Sequence, residues 1–515
     1  MKLTRRLSIL LLVLCLVSIP LCAPATDAPP IEGVTLRYWI PLAGNVMSRH
    51  ASYSEVECYI EAQKATGINL EFIHPAVGQE REQFNLMLSS RSLPDIFSYS
   101  LSSYPGGEIG AAADGLILPL NELFNAYAPD VLAMFERRPD YAVQSKADDG
   151  NNYNFPALQE EEYSTISFGP QIRQDFLDTL GLEVPTTIEE WENMLRLFKT
   201  ELNLPAPLTY QKDDIRNSHA FVGAYGIAYD LYTDPADGGK VKFGPVQPAF
   251  KDFLTTMARW YADGLLDPEF ASQDGSAFDS KNTGGKSGAW LGTTSSKLKN
   301  YLTMMKDKDP AFNLVGAPYP SLVKGEAAHF QQKVALWDPN STYISATAAY
   351  PEAAATFLNY GYTRDGYILY NWGIEGKMYT LEDGEPQIIP EVYNAPERYD
   401  MNTGTVGPFI KSTVTQKQMY ASIEFPQVEA ALNTWSTTES AGYLMPPVTL
   451  NKEEATKAAT IASEIKTYVD EMVMKYIIGV EPLDSFDTFV ATLNNLGVND
   501  MVAEYQKALD RWNSR

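Results

Sequence analysis

The groups in this 515-residue chain that could carry catalysis are two acidic runs, Glu160–Glu162 and Glu189-Glu190, together with four histidines and one polar turn. Carboxylates that act as acid and base on a glycosidic bond must face each other across it. Sequence neighbours rarely do, and with 65 acidic residues chance pairs are expected, so both runs read as solvated surface. His50, His74, His219 and His329 are scattered, which argues against a zinc site. Asp234, Asp237 and Gly238 in TDPADGG lack the spacing and terminal glutamate of a calcium loop. No GxSxG, HExxH, Walker or dinucleotide fingerprint occurs. Neither metal nor cofactor is expected, and the alternative of a secreted carbohydrate-active enzyme stays open, because a missing motif does not exclude one.

Recognition chemistry is better represented. The stretch SLPDIFSYS (92–100) enters through proline, runs through an apolar pair and ends on Ser98, Tyr99 and Ser100. A buried strand opening into a crevice at its C-terminal end has this form, and open α/β sheets place ligands there. The net charge is −25, and loss of an N-terminal leader carrying Lys2, Arg5 and Arg6 makes it more negative by three. Such a surface repels phosphate backbones and other anions, so nucleic acid is excluded as a partner and a neutral ligand fits best. The 30 Tyr, 22 Phe and 8 Trp offer ring faces, which match the C–H faces of a sugar without needing charge.

Residues 1–25 read as a secretory signal peptide: basic residues, then LSILLLVLCLVSIPLC, then the small residues Ala23–Ala25. APATDAPPIEG follows, with 26–32 as a tether. Cys22 is either a lipid anchor or lost on cleavage after Ala25. The product is placed outside the cell membrane or in the periplasm. Cys58 alone remains beyond the leader, so the core rather than disulfides must hold the chain.

GVTLRYWI, INLEFIHP and DIFSYS read as strands separated by the helices EVECYIEAQKATG and GQEREQFNLMLSSRS, which implies a parallel sheet covered on both faces. PTTIEEW starts a helix capped by Thr187 with Glu190 three residues on. Further helices are expected over 250–264, 352–362, 451–478 and 484–512, a short strand into Trp290, and a hairpin over 378–389 turning at Asp383-Gly384.

YIEAQKATGINLEFIHPAVGQEREQFNLMLSSRSLPDIF (59–97), IRQDFLDTLGLEVPTTIEEW (172–191) and WGIEGKMYTLEDGEP (372–386) resemble signatures of family 1 extracellular solute-binding proteins of ABC transporters, in the LplA-like oligosaccharide branch. The resemblance implies a type II periplasmic-binding-protein-like α/β fold with two lobes joined by hinge crossings. Lobe 1 would comprise 33–157 and 330–372, and lobe 2 158–329 and 373–515. It implies a monomer that takes a neutral oligosaccharide by lobe closure and hands it to membrane permease subunits. It also implies ligand-binding residues: Trp290 first, from a likeness of SGAWLG to a sugar-stacking tryptophan segment, then Trp39, Asp95, Tyr99 and Ser100, and at the crossings Tyr163, Trp337, Asp338 and Trp372. Phe176 stands where the family often has tryptophan, which weakens IRQDF as an aromatic platform.

Overall fold

The computed structural model describes residues 31, 33–400 and 407–515. The leader, Cys22 and nearly all of the tether lie outside them, and so does the side chain of Asp338. No helix among the described residues is long and apolar enough to cross a membrane.

One large apolar cluster fills lobe 2, and lobe 1 holds two, built on alternate residues of its sheet, with a small fourth cluster around Trp372. Lobe 1 is built on a six-stranded sheet in the order Ile410–Lys411, Phe155–Gln159, Trp337–Ile344, Ile96–Ser98, Thr35–Trp39, Asn69–Ile73. The three N-terminal strands run parallel, as the strand–helix alternation requires. Ile96–Ser98 is an inner strand with all three residues buried. The sheet is mixed rather than wholly parallel, because Trp337–Ile344 returns from the other lobe and lies antiparallel to both its neighbours.

Lobe 2 has a four-stranded sheet in the order Leu314–Gly316, Phe168–Arg173, Ala289–Thr293, Leu208–Thr209, enclosed by helices that include Ile188–Thr200, Pro248–Ala262 and Lys452–Ile477. Thr187 caps the first of these by accepting from the Glu190 N–H at 3.2 Å. The stretch 484–512 is two helices, Phe486–Asn495 and Val498–Asn513, parted at Gly497.

The chain stays in lobe 1 longer than the expected boundary at 372. Trp372 and the hairpin Tyr379–Glu382/Glu385–Ile388 form a small apolar cluster, and Ile410–Lys411 then pairs with Phe155–Gln159 in the lobe 1 sheet. The last crossing therefore lies at 411–413. Pairing decides this, since a two-residue strand carries too little pattern to be seen in sequence.

Helix Gln427–Trp435 lies directly on the lobe 2 sheet. A Cβ at Gly169 would sit 2.4 Å from the Trp435 ring, so only glycine permits this approach. Gly169→Ala is expected to destabilise by about 1–3 kcal/mol through overpacking, read as a lower chemical-denaturation midpoint with an unchanged slope.

Candidate functional site

Three chain segments join the lobes, and their hydrogen bonds tie them into one strap. Gln159 N–H donates to Leu336 O at 2.8 Å and Val334 N–H to Thr165 O at 3.1 Å. The Glu160 carboxylate accepts from the Thr413 N–H at 2.7 Å and from the Tyr367 hydroxyl at 2.9 Å. Glu162 pairs instead with Lys333 at 2.9 Å, and Glu190 with Lys324 at 2.7 Å. The acidic runs thus tie crossings and cap a helix, with Glu160, Glu162 and Glu190 each turned to a different partner.

A cavity of about 720 Å³ lies where the lobes meet. Lobe 1 contributes Ser102–Pro105, the loop directly after Ile96–Ser98. Lobe 2 contributes Val448–Leu450, the first turns of helix Lys452–Ile477, and Tyr505. None of its lining residues carries charge. The lobes approach closely beside it, where a Cβ on Gly107, at φ 56°, would stand 2.7 Å from the Thr449 methyl.

Thr449 also lines a space of about 20 Å³, room for one water-sized group, between Glu108, Ser145, Asp148, Trp337 and Arg515. Glu108 accepts from Asn154 Nδ2 at 2.6 Å and from the Tyr343 hydroxyl at 2.9 Å, both on Oε1. Burial pushes its carboxyl up to about 7, against those two hydrogen bonds and the Arg515 charge. Trp337 Nε1 and Ser145 Oγ are buried without a partner. A third cavity, about 560 Å³, lies on the crossings between Tyr163, Gln331, Lys333 and the segment 436–443.

The raised Glu108 pKa fixes the sign of a pH effect. The folded state holds this proton more tightly than the unfolded chain, so the stabilisation is complete below pH 4 and is lost as pH rises towards 7. Glu108→Gln should gain on the parent by about 1–2 kcal/mol between pH 5 and 8, once access from the cavity is allowed for. Parallel stability–pH curves for the two proteins would contradict this.

The residues singled out from sequence separate into two groups. Tyr163 lines the cavity on the crossings, and Trp337 the narrow space beside Thr449. Ser100 bonds Ser102 Oγ at 2.8 Å, two residues short of the cavity wall. Tyr99 is half-buried against Trp39, itself 5 % exposed and packed on Phe84. Asp95 accepts from the Arg37 and Ala349 backbone N–H groups at 2.8 and 3.1 Å, which fastens the sheet. Trp372 donates to Gln418 Oε1 at 3.1 Å within its own cluster. Asp338 sits on the return strand.

Trp290 requires a correction. It is fully buried in the lobe 2 core, edge-on to Tyr301 and donating to Gln171 Oε1 at 2.9 Å. It lies early in its strand and points into the core, whereas the strand reaches the crossings at Thr293, which is paired with Phe168. The cavity residues Ser102, Ser103 and Tyr104 could have been found by following DIFSYS four residues further. Thr449 and Tyr505 had no local signal, since one lies in the loop before helix Lys452–Ile477 and the other in a helix that reads as ordinary packing.

Residues 49–368, more than half of the chain, match the family model for bacterial extracellular solute-binding proteins. The chain belongs to that family. This solute-binding protein is 21 % identical over 479 residues to the fructooligosaccharide ABC transporter substrate-binding protein FusA of Streptococcus pneumoniae, covering 87 % of this chain and 86 % of that one. Its fold matches an HMO-binding, ABC-transporter-associated solute-binding protein from Bifidobacterium longum infantis with a TM-score of 0.76, at 18 % identity over 93 % and 99 % of the two chains. It also matches the alginate-binding protein AlgQ2, solved without calcium ion, with a TM-score of 0.73, at 24 % identity over 94 % and 99 %. At these identities the two structural likenesses are of fold, and the fold is the two-lobed solute-binding architecture.

Proposed function

We propose that this solute-binding protein captures a neutral oligosaccharide between its lobes and delivers it to the permease subunits of an ABC importer. The observation that carries the reading is the uncharged lining of the 720 Å³ cavity. Ser102, Ser103, Thr449 and Thr456 present hydroxyls, while Tyr104 and Tyr505 present rings from opposite lobes. The volume falls in the range of small-molecule sites. A sugar needs both features, because a hydroxyl left unpaired in a closed site costs about 1–3 kcal/mol. FusA, a fructooligosaccharide ABC transporter substrate-binding protein, and the HMO-binding Bifidobacterium protein point the same way.

Thermal shift against fructo-, malto- and xylo-oligosaccharides of two to six units tests it. At least one neutral sugar should raise the melting temperature, by linkage of binding to folding, and should be recovered intact after long incubation. Tyr505→Ala should weaken that sugar about tenfold or more. A flat response to all neutral sugars, or release of shorter products, would reject the proposal.

A further inference from the structure

The 560 Å³ cavity on the crossings holds groups that the main cavity does not use. Gln331 is 2 % exposed, and its Oε1 is buried without a hydrogen-bond partner, although its Nε2 donates to Ser440 Oγ at 3.2 Å. The Tyr163 hydroxyl is likewise buried and unpartnered, while its ring takes Lys417 on one face. Burial pushes that phenol up to about 12, so it is a donor at any physiological pH. His329 lies flat on Tyr443, with centroids 4.3 Å apart and planes 11° apart. Tyr163, Gln331 and the stacked His329–Tyr443 pair thus border one cavity, and a small turn of either of the first two side chains would aim its unpartnered oxygen at an occupant, which is the equipment for binding one sugar unit.

Unpartnered buried polar atoms are rare in native folds and ask for a cause. Here two of them sit on two different crossings, Tyr163 on the first and Gln331 on the second. The segment 436–450 lines this cavity, the narrow space at Trp337 and the 720 Å³ cavity in turn. We propose that the cavity on the crossings is a second saccharide subsite, in which hydroxyls of an outlying sugar unit accept from Tyr163 and donate to Gln331. This rests on the oligosaccharide reading above. An occupant would touch two crossings at once, so its binding energy would bear directly on the angle between the lobes.

Titration calorimetry of the full protein with tri- and pentasaccharides of the fructo-, malto- and xylo- series tests the subsite, using the parent, Tyr163→Phe and Tyr505→Ala. In the parent, the pentasaccharide of the accepted series should bind about tenfold tighter than the trisaccharide, the worth of one or two added hydrogen bonds. Tyr163→Phe should lose most of that gain and keep the trisaccharide affinity, and its melting temperature without sugar should not fall, because the deleted hydroxyl has no partner there. Tyr505→Ala should weaken both lengths. If Tyr163→Phe retains the full length dependence, or loses melting temperature at unchanged affinity, the subsite is rejected while the function stands. If the parent binds no sugar, both are rejected.

Discussion

Trp290→Ala is expected to destabilise the protein by about 3–5 kcal/mol, a fall of roughly 10 °C in melting temperature. The indole has no exposed surface, packs edge-on against Tyr301 and donates to Gln171 Oε1. Removing it opens a large void and strips that oxygen of its donor. Gln171 is itself fully buried, and its Nε2 is committed to the carbonyls of Gly292 and Thr293 at 2.8 and 3.0 Å. Two costs therefore add, the lost packing and an unpaired acceptor worth about 1–3 kcal/mol. Trp290→Phe separates them, since it keeps most of the ring and loses only the N–H, and it should fall between the parent and alanine. Sugar affinity measured well below the melting point should be unchanged in both variants. Intact stability with lost affinity would return Trp290 to the binding surface.

The same residue shows what sequence reasoning could reach. The strand into Trp290 was legible, but which face of it meets the cavity depends on register against Phe168–Arg173, a partner more than a hundred residues away. The first three strands and their helices were legible because each carries its own period and punctuation. The antiparallel return strand was not, since its direction is set by a crossing that comes back from the other lobe. The DIFSYS strand was placed correctly as inner, yet its polar end serves structure first: Ser98 is locked between the Tyr38 and Thr342 hydroxyls at 2.6 and 2.5 Å. The cavity wall begins only at Ser102. Asp95, Trp39 and Trp372 have partners that fully explain them inside lobe 1. The opposite wall, Thr449 and Tyr505, comes from the loop before one C-terminal helix and from the face of another, and those helices look like any amphipathic pair until they are docked.

Docking of those helices leads to the second large effect. Asp148, on lobe 1, accepts from Arg511 Nε at 2.6 Å and pairs with Arg515, both on lobe 2. The other two guanidinium nitrogens of Arg511 grip Glu454 at 2.6 Å each. The side chains of Asp148 and Glu454 are only 13 % and 6 % exposed, so Arg511 separates two nearly buried carboxylates. Arg511→Met should cost about 3–5 kcal/mol, because it leaves the nearly buried Glu454 without its partner and facing Asp148, which Arg515 alone then holds. Asp148→Asn is different: the Arg511–Glu454 pair survives within lobe 2, and what is lost is the charge attraction of Arg511 and of Arg515, itself 9 % exposed, across the seam. Its melting temperature should fall by less than that of Arg511→Met, because asparagine keeps an acceptor for the nearly buried Arg515, while sugar affinity falls about tenfold as closure loses roughly 1.4 kcal/mol, and small-angle scattering should show a larger radius of gyration. In the Arg511→Met background the sign reverses. There Asp148→Asn should restore part of the lost stability by removing one of the two facing charges, a non-additivity that a double-mutant cycle reads directly. Simple additivity of the two changes, or an unaltered radius and affinity for Asp148→Asn, would show that this seam does not hold the lobes together.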